Sequence, residues 1–250
     1  MGTGWVYGVA ILASSCGMAV IDRRWKLAFF RDAATSIAVL MGSVCAFLLW
    51  DLLGIATGVF FRGPGPWMTG WQIAPEIPVE EVLFLGFLTQ LSVVLDAAME
   101  RLAGLGERLR RLMGGGVWLG AGVFLLIVVS STAWFAVQGS GGIRWDAQSW
   151  TYLVVIVPIT ALAVFVGCFL SRGRPRAPLA AGASVVVMCL LTALFDSFIV
   201  SAGIVGYDWS LTSGVMMGSA PLEDCGYAIT AAVCAPAVWK ALHQRRKVDQ

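Results

Sequence analysis

An all-helical membrane protein with seven transmembrane helices is the fold class this sequence predicts, and three observations predict it. The 250 residues are 58% apolar and 13% charged, about half the charged share of a soluble domain. Mean hydropathy is +0.81, and uncharged runs long enough to cross a bilayer as helices recur along the chain. The basic residues, finally, crowd onto alternate connections between those runs.

The spans fall at roughly 3–21, 33–59, 78–97, 116–137, 150–170, 178–201 and 217–239. No basic stretch precedes the first, so it reads as a retained span rather than a cleaved signal. Arg23, Arg24, Lys26 and Arg31 follow the first span, and Arg101, Arg108, Arg110 and Arg111 the third. Arg172, Arg174 and Arg176 follow the fifth; Lys240, Arg245, Arg246 and Lys247 follow the seventh. Together these are 15 of the 17 basic residues, leaving Arg62 and Arg144 on the other side. A multi-pass protein of the cell (plasma) membrane is expected, N-terminus outside and C-terminus cytoplasmic. The long outer connections, about 60–77 and 202–216, carry Trp67, Trp71, Tyr207 and Trp209. These read as a headgroup-level aromatic belt in preference to a substrate lid.

The chain also repeats itself. An offset of 145 carries Trp5 and Tyr7 onto Trp150 and Tyr152, and Trp50-Asp51 onto Phe195-Asp196. An offset of 143 carries Pro78, Glu80, Glu81 and Phe84 onto Pro221, Glu223, Asp224 and Tyr227. Two parallel three-helix repeats follow, in domains 1–115 and 146–250, joined by a linker helix within 116–145. The odd linker lets both copies insert in the same direction, related by an axis along the membrane normal.

Pro and acids in a first helical turn suit the helix dipole, which is the structural reading of each Pro-x-acid-acid motif. Their recurrence favours function. Asp51, Glu80 and Glu81 from one copy, and Asp196, Glu223 and Asp224 from the other, are expected to gather near one membrane boundary. A carboxyl there is costly and asks for a use. Desolvation and like-charge neighbours favour the protonated form, so each cluster is expected to keep a proton for a substrate while a neighbour takes one back. Phe84 and Tyr227 lie one turn below the acids, and Trp50 and Phe195 adjoin the Asp residues. Such rings stabilise cations by about 2 kcal/mol when water is excluded. Acids beside aromatic faces in an apolar site suit protonation of an alkene and guidance of the carbocation.

Other classes fit less well. All six cysteines lie in apolar runs without a C-x-x-C pair, and the one histidine is His243 in the polar tail. The cysteines therefore read as small buried hydrophobes, and no metal site is expected. No G-x-G-x-x-G loop points to a flavin and no D-D-x-x-D run to a magnesium diphosphate, so no cofactor is expected. Dispersed basic residues give no nucleic-acid surface. A proton-coupled transporter shares membrane acids and repeats, but would want them at the midplane. The partners expected are membrane lipids and a lipophilic polyene or isoprenoid drawn from the bilayer; the sequence sets no oligomeric state.

The motifs Trp50-Asp51-x-x-Gly54-Ile55 and Pro78-Val79-Glu80-Glu81-x-x-Phe84 resemble those of the small membrane-integral lycopene cyclases. So do Asp196, Tyr207-Asp208 and Pro221-Leu222-Glu223-Asp224-x-x-Tyr227 in the second copy. The resemblance is to the fused two-domain form of the heterodimer-type carotenoid cyclases and spans nearly the whole chain. It implies an intramolecular lyase or isomerase that cyclises the linear ends of lycopene or a related carotene. Glu80, Glu81, Glu223 and Asp224 are then the candidate acid and base, with Asp51 and Asp196 in support. The second copy departs from the pattern with Asp224 for Glu, Cys225-Gly226 for bulky residues and Phe195 for Trp. Those departures allow a weaker or reshaped second site, or another isoprenoid, such as a terpene or meroterpenoid, as the molecule cyclised.

Overall fold

Hydrocarbon offers backbone amides no partner but each other, and the described residues answer with seven long helices. They are α1 (Val6–Trp25), α2 (Ala33–Ala56), α3 (Val79–Ala103), α4 (Glu107–Val137), α5 (Thr151–Leu170), α6 (Pro178–Ser201) and α7 (Cys225–Val248). All seven are long and apolar enough to cross a membrane. The computed structural model describes residues 3–138, 142–143, 145–172 and 178–248. Arg144, Arg174 and Arg176, counted above for orientation, lie outside the described residues.

Two helices differ most in extent from the sequence reading. The polar stretch 107–112 joins α4 at its N-terminal end, with Arg111 paired to Glu107 at 3.3 Å. In contrast, α7 starts late, because Met216–Met217 and Ala220–Pro221 form a tight antiparallel pair turned by Gly218 at φ +68°. A short 3-10 turn, Leu222–Asp224, then leads into the helix. At its far end α7 continues past Lys240, whose ammonium pairs with Asp96 and Glu100 of α3. A lysine expected in a polar tail thus holds two helices together.

The acid-bearing helices form the centre. α3 and α7 pack on each other, α1 and α2 lean on α3, and α5 and α6 lean on α7. α2 also reaches α7, and α6 reaches α3. α4 lies outside against α6, with Trp118, Leu119 and Leu126 exposed along it. Lipid solvates such a face as readily as a core would. The same reasoning corrects the reading of the cysteines: Cys189 and Cys225 are buried, but Cys16, Cys45 and Cys168 face outward.

The long connections contain short strands that the sequence reading did not foresee. β1 (Phe60–Arg62) pairs antiparallel with β4 (Val205–Tyr207), placing Phe60 opposite Tyr207. β2 (Gln72–Ala74) pairs with β3 (Ile77–Pro78) just ahead of α3, as β5 (Met216–Met217) pairs with β6 (Ala220–Pro221) ahead of α7. Beyond β1, the amides of Gly63 and Gly65 donate to the carbonyls of Ile204 (2.8 Å) and Gly203 (2.7 Å). A Cβ at Gly63 would stand 2.1 Å from the Gly203 oxygen, so only glycine permits this approach. The two connections therefore close on each other. Tyr207 sits inside that closure instead of in an aromatic belt, whereas Trp71, 75% exposed, keeps an outward position.

At the opposite end of the bundle, Asp22 is fully buried at the end of α1. Its Oδ1 accepts from the amides of Leu27 and Ala28, each at 2.8 Å, and its Oδ2 from those of Phe29 (2.7 Å) and Phe30 (3.3 Å). Asp32 caps α2 through Thr35 and also meets His243 and Arg246 of α7. Burial pulls the Asp32 carboxyl upward, but the bonds from His243 and Thr35 and the Arg246 charge outweigh it and hold it well below the usual range.

Removing Asp22 strands four amides. Asp22→Ala is expected to cost about 3 kcal/mol, the range for lost hydrogen bonds to a charged group. Thermal unfolding of the detergent-solubilised protein checks this: the midpoint should fall by several degrees, and an unchanged midpoint would refute the role.

Candidate active site

The α1 start, the α2 end, the starts of α3, α5 and α7 and the α6 end meet under the joined connections, and there a pocket opens. Its space, mouth included, is about 900 Å³. Asp51, Glu81, Asp196 and Asp224 line it, with Phe84, Leu85, Leu88, Ile199 and Ile204 supplying apolar wall. All four tyrosines of the chain, Tyr7, Tyr152, Tyr207 and Tyr227, line it as well.

Three of the four hydroxyls serve an acid. Tyr152 Oη donates to Asp224 Oδ1 at 2.5 Å, and Tyr207 Oη donates to Asp224 Oδ2 at 2.7 Å. Tyr227 Oη donates to Asp51 Oδ1 at 2.8 Å, joining α7 to α2. Tyr227 in turn stacks on Trp50, ring centres 4.3 Å apart. Burial first, then the Asp224 and Asp196 charges, push the Tyr207 phenol well above its ordinary range, so it stays a donor. Among the described residues, no hydroxyl or amide donates to Glu81 or Asp196. Glu81 lies close enough to Asp51, and Asp196 to both Asp224 and Glu81, for their charges to interact.

The remaining sequence candidates lie apart from the pocket lining. Glu80 is buried, but its Oε1 accepts the Thr69 amide at 2.7 Å. Glu223 matches it, accepting the Ser213 amide at 2.7 Å. Adjacent residues point about 100° apart in an α-helix and about 120° apart in a 3-10 turn, so one acid of each pair faces the pocket and the other faces the connection it holds. Trp50 backs Tyr227 without lining the pocket, and Phe195 is 39% exposed and tilts against Phe87. Six expected carboxyls and four expected rings thus resolve into four acids and two rings, Phe84 and Tyr227, at the pocket itself.

Sequence reasoning passed over Tyr7, Tyr152 and Tyr207 as site residues. Their signal was present: Tyr7 and Tyr152 mark the repeat, and Tyr207 stands in a connection rich in aromatics. Arg62 and Glu76 also line the pocket, from the first connection, where the Arg62 amide donates to Glu76 Oε2 at 2.9 Å.

A membrane protein whose helix ends close on an acid-lined, aromatic pocket has groups able to give a proton to an apolar molecule and take one back. Known proteins narrow that chemistry. A family model described as lycopene cyclase matches residues 148–242. A putative C(50) carotenoid beta-cyclase subunit of Dietzia sp. (strain CQ4) is 48% identical over 98 residues, covering 39% of this chain and 79% of that protein. The C(50) beta-cyclic carotenoids biosynthesis protein LbtBC of the same strain is 44% identical over 92 residues, 36% of this chain and 21% of that longer protein. No solved structure matches. The chain belongs to the lycopene cyclase family, and such relatives imply an enzyme. The family match falls on the half whose motifs depart most from the expected pattern.

The Glu80 carboxyl should matter as a hydrogen-bond acceptor only. Glu80→Gln retains an acceptor for the Thr69 amide and is expected to leave the 63–78 connection as protease-resistant as before. Glu80→Ala should open it to cleavage. Equal cleavage of both variants would contradict this placement.

Proposed function

We propose that the protein is a carotenoid cyclase, which converts the linear ends of lycopene or a related carotene to rings without redox change. The observation that carries this reading is the apolar pocket where four carboxyls, from four helix ends, meet four tyrosines. A proton from one acid adds to the terminal double bond and leaves a tertiary cation. The electron pair of a second double bond then forms the ring C–C bond and moves the charge into the ring. Loss of a neighbouring proton to a carboxylate restores a double bond, so the product is an isomer of the substrate. General acid–base action of this kind is worth roughly 10²- to 10⁴-fold, and the rings of Phe84 and Tyr227 offer faces to the cation. No cofactor enters the balance. The C(50) carotenoids in the relatives' names favour a carotene longer than lycopene as the substrate.

We also read the chain as two parallel units, 1–115 and 146–250, joined by a linker in 116–145, with the N-terminus outside the plasma membrane. Paired features support the duplication: Glu80 holds Thr69 as Glu223 holds Ser213, and a short hairpin precedes each of α3 and α7. On this reading the two units do not carry one site each. They share one, since Tyr227 of the second serves Asp51 of the first.

Expression in cells that accumulate lycopene, and in cells that accumulate a longer linear carotene, tests the reading. Chromatography with mass spectrometry should reveal a product of unchanged mass and shortened conjugation in at least one. Unchanged pigment in both would sink the proposal. Glu81→Gln should lower product formation by about 100-fold or more at equal membrane yield; full activity in that variant would remove Glu81 from the mechanism.

A further inference from the structure

Besides Glu76 of the first connection, four helix-end acids line the pocket; they are not equivalent, and their hydrogen bonds sort them. Asp224 accepts a phenol on each oxygen, from Tyr152 and from Tyr207. A carboxyl that accepts on both oxygens behaves as an ionised acceptor, since a protonated one would spend an oxygen as donor. Among the described residues, Asp51 accepts one phenol, and its Oδ2 is buried with no partner. Glu81 and Asp196, among the described residues, accept none and border the pocket space, so either can present an O–H of its own.

We propose that Tyr152 and Tyr207 are positioning residues that clamp Asp224 as the base taking the ring proton, while the proton that starts the reaction comes from the undonated acids, Glu81 or Asp196. The assignment rests on the cyclase reading and deepens it. A fixed negative carboxylate beside the pocket also stabilises the cation while it exists, without reorganising as it forms. The steps balance: the O–H of Glu81 or Asp196 breaks as a C–H forms, a C–C bond closes the ring, and a ring C–H gives its proton to Asp224. Proton exchange between the neighbouring acids then resets the site, consistent with Asp196 interacting with both Asp224 and Glu81.

The clamp has a feature that ties it to selectivity. Tyr152 stands on α5, but Tyr207 belongs to β4, whose partner strand β1 comes from the other connection. The position of the base therefore depends on the closure of both connections. Which ring C–H lies nearest to Asp224 decides where the new double bond forms. A base moved by a fraction of an ångström should select a different proton, whereas a weakened acid should slow the reaction without changing that selection.

The test compares Tyr152→Phe, Tyr207→Phe, Asp224→Glu and Glu81→Asp in the full-length protein, with membrane yield and thermal midpoint recorded for each. Each Tyr→Phe removes one oxygen. Total product from the tyrosine variants should fall about ten- to a hundredfold through kcat, with KM near that of the parent. The ratio of products differing in double-bond position should shift in these variants and in Asp224→Glu. Glu81→Asp should lower all products in proportion, leaving the ratio unchanged. Parent-like ratios and kcat in both tyrosine variants would overturn the assignment, as would a ratio shift confined to Glu81→Asp. If the parent protein itself forms no cyclised product, the cyclase reading fails outright and this assignment with it, an outcome told apart because no variant enters the comparison.

Discussion

A carboxyl group in hydrocarbon needs a donor, a neighbour to share a proton with, or a way back to water. That constraint organises the upper part of this molecule. Glu80 and Glu223 find backbone amides in the connections they secure. Asp224 and Asp51 find phenols. Glu81 and Asp196 find open pocket and one another. The same chemistry closes the far end with other partners, where Asp22 gathers four amides and Asp96 and Glu100 receive Lys240.

These partnerships explain why the two halves pack so intimately. α3 and α7 lie at the centre, each opening on an acid pair, and helices of both halves pack on each. The connections meet as a β1–β4 pair for a related reason. A roof over a pocket has to satisfy its own amides, and pairing two strands does so. Glycines at 63, 65 and 203 let the backbones approach closely enough. On our reading a polyene end entering beneath this roof meets acids and rings set among aliphatic walls.

Much of this was legible in the sequence. Length, hydropathy and charge spacing yielded seven helices, and the Pro-x-acid-acid motifs marked the starts of the central pair. What the sequence concealed was direction. Adjacent acids such as Glu80 and Glu81 look alike in a string of letters, yet helix geometry sends one to the connection and the other to the pocket. Tyr207 looks like an interfacial aromatic, because nothing in its own connection reveals that a strand from the other half pairs with it. The late start of α7 was hidden similarly: Met216 and Met217 are as apolar as any span residue but are spent in a hairpin.

On our reading one pocket, assembled across both halves, does the chemistry. A double-mutant cycle on Asp51→Asn and Tyr227→Phe, read as rate of ring formation, tests it most directly. If the two groups act as one unit, the double variant should be about as slow as the slower single variant. Losses that simply multiply would mean that the halves work independently, and would contradict a shared site.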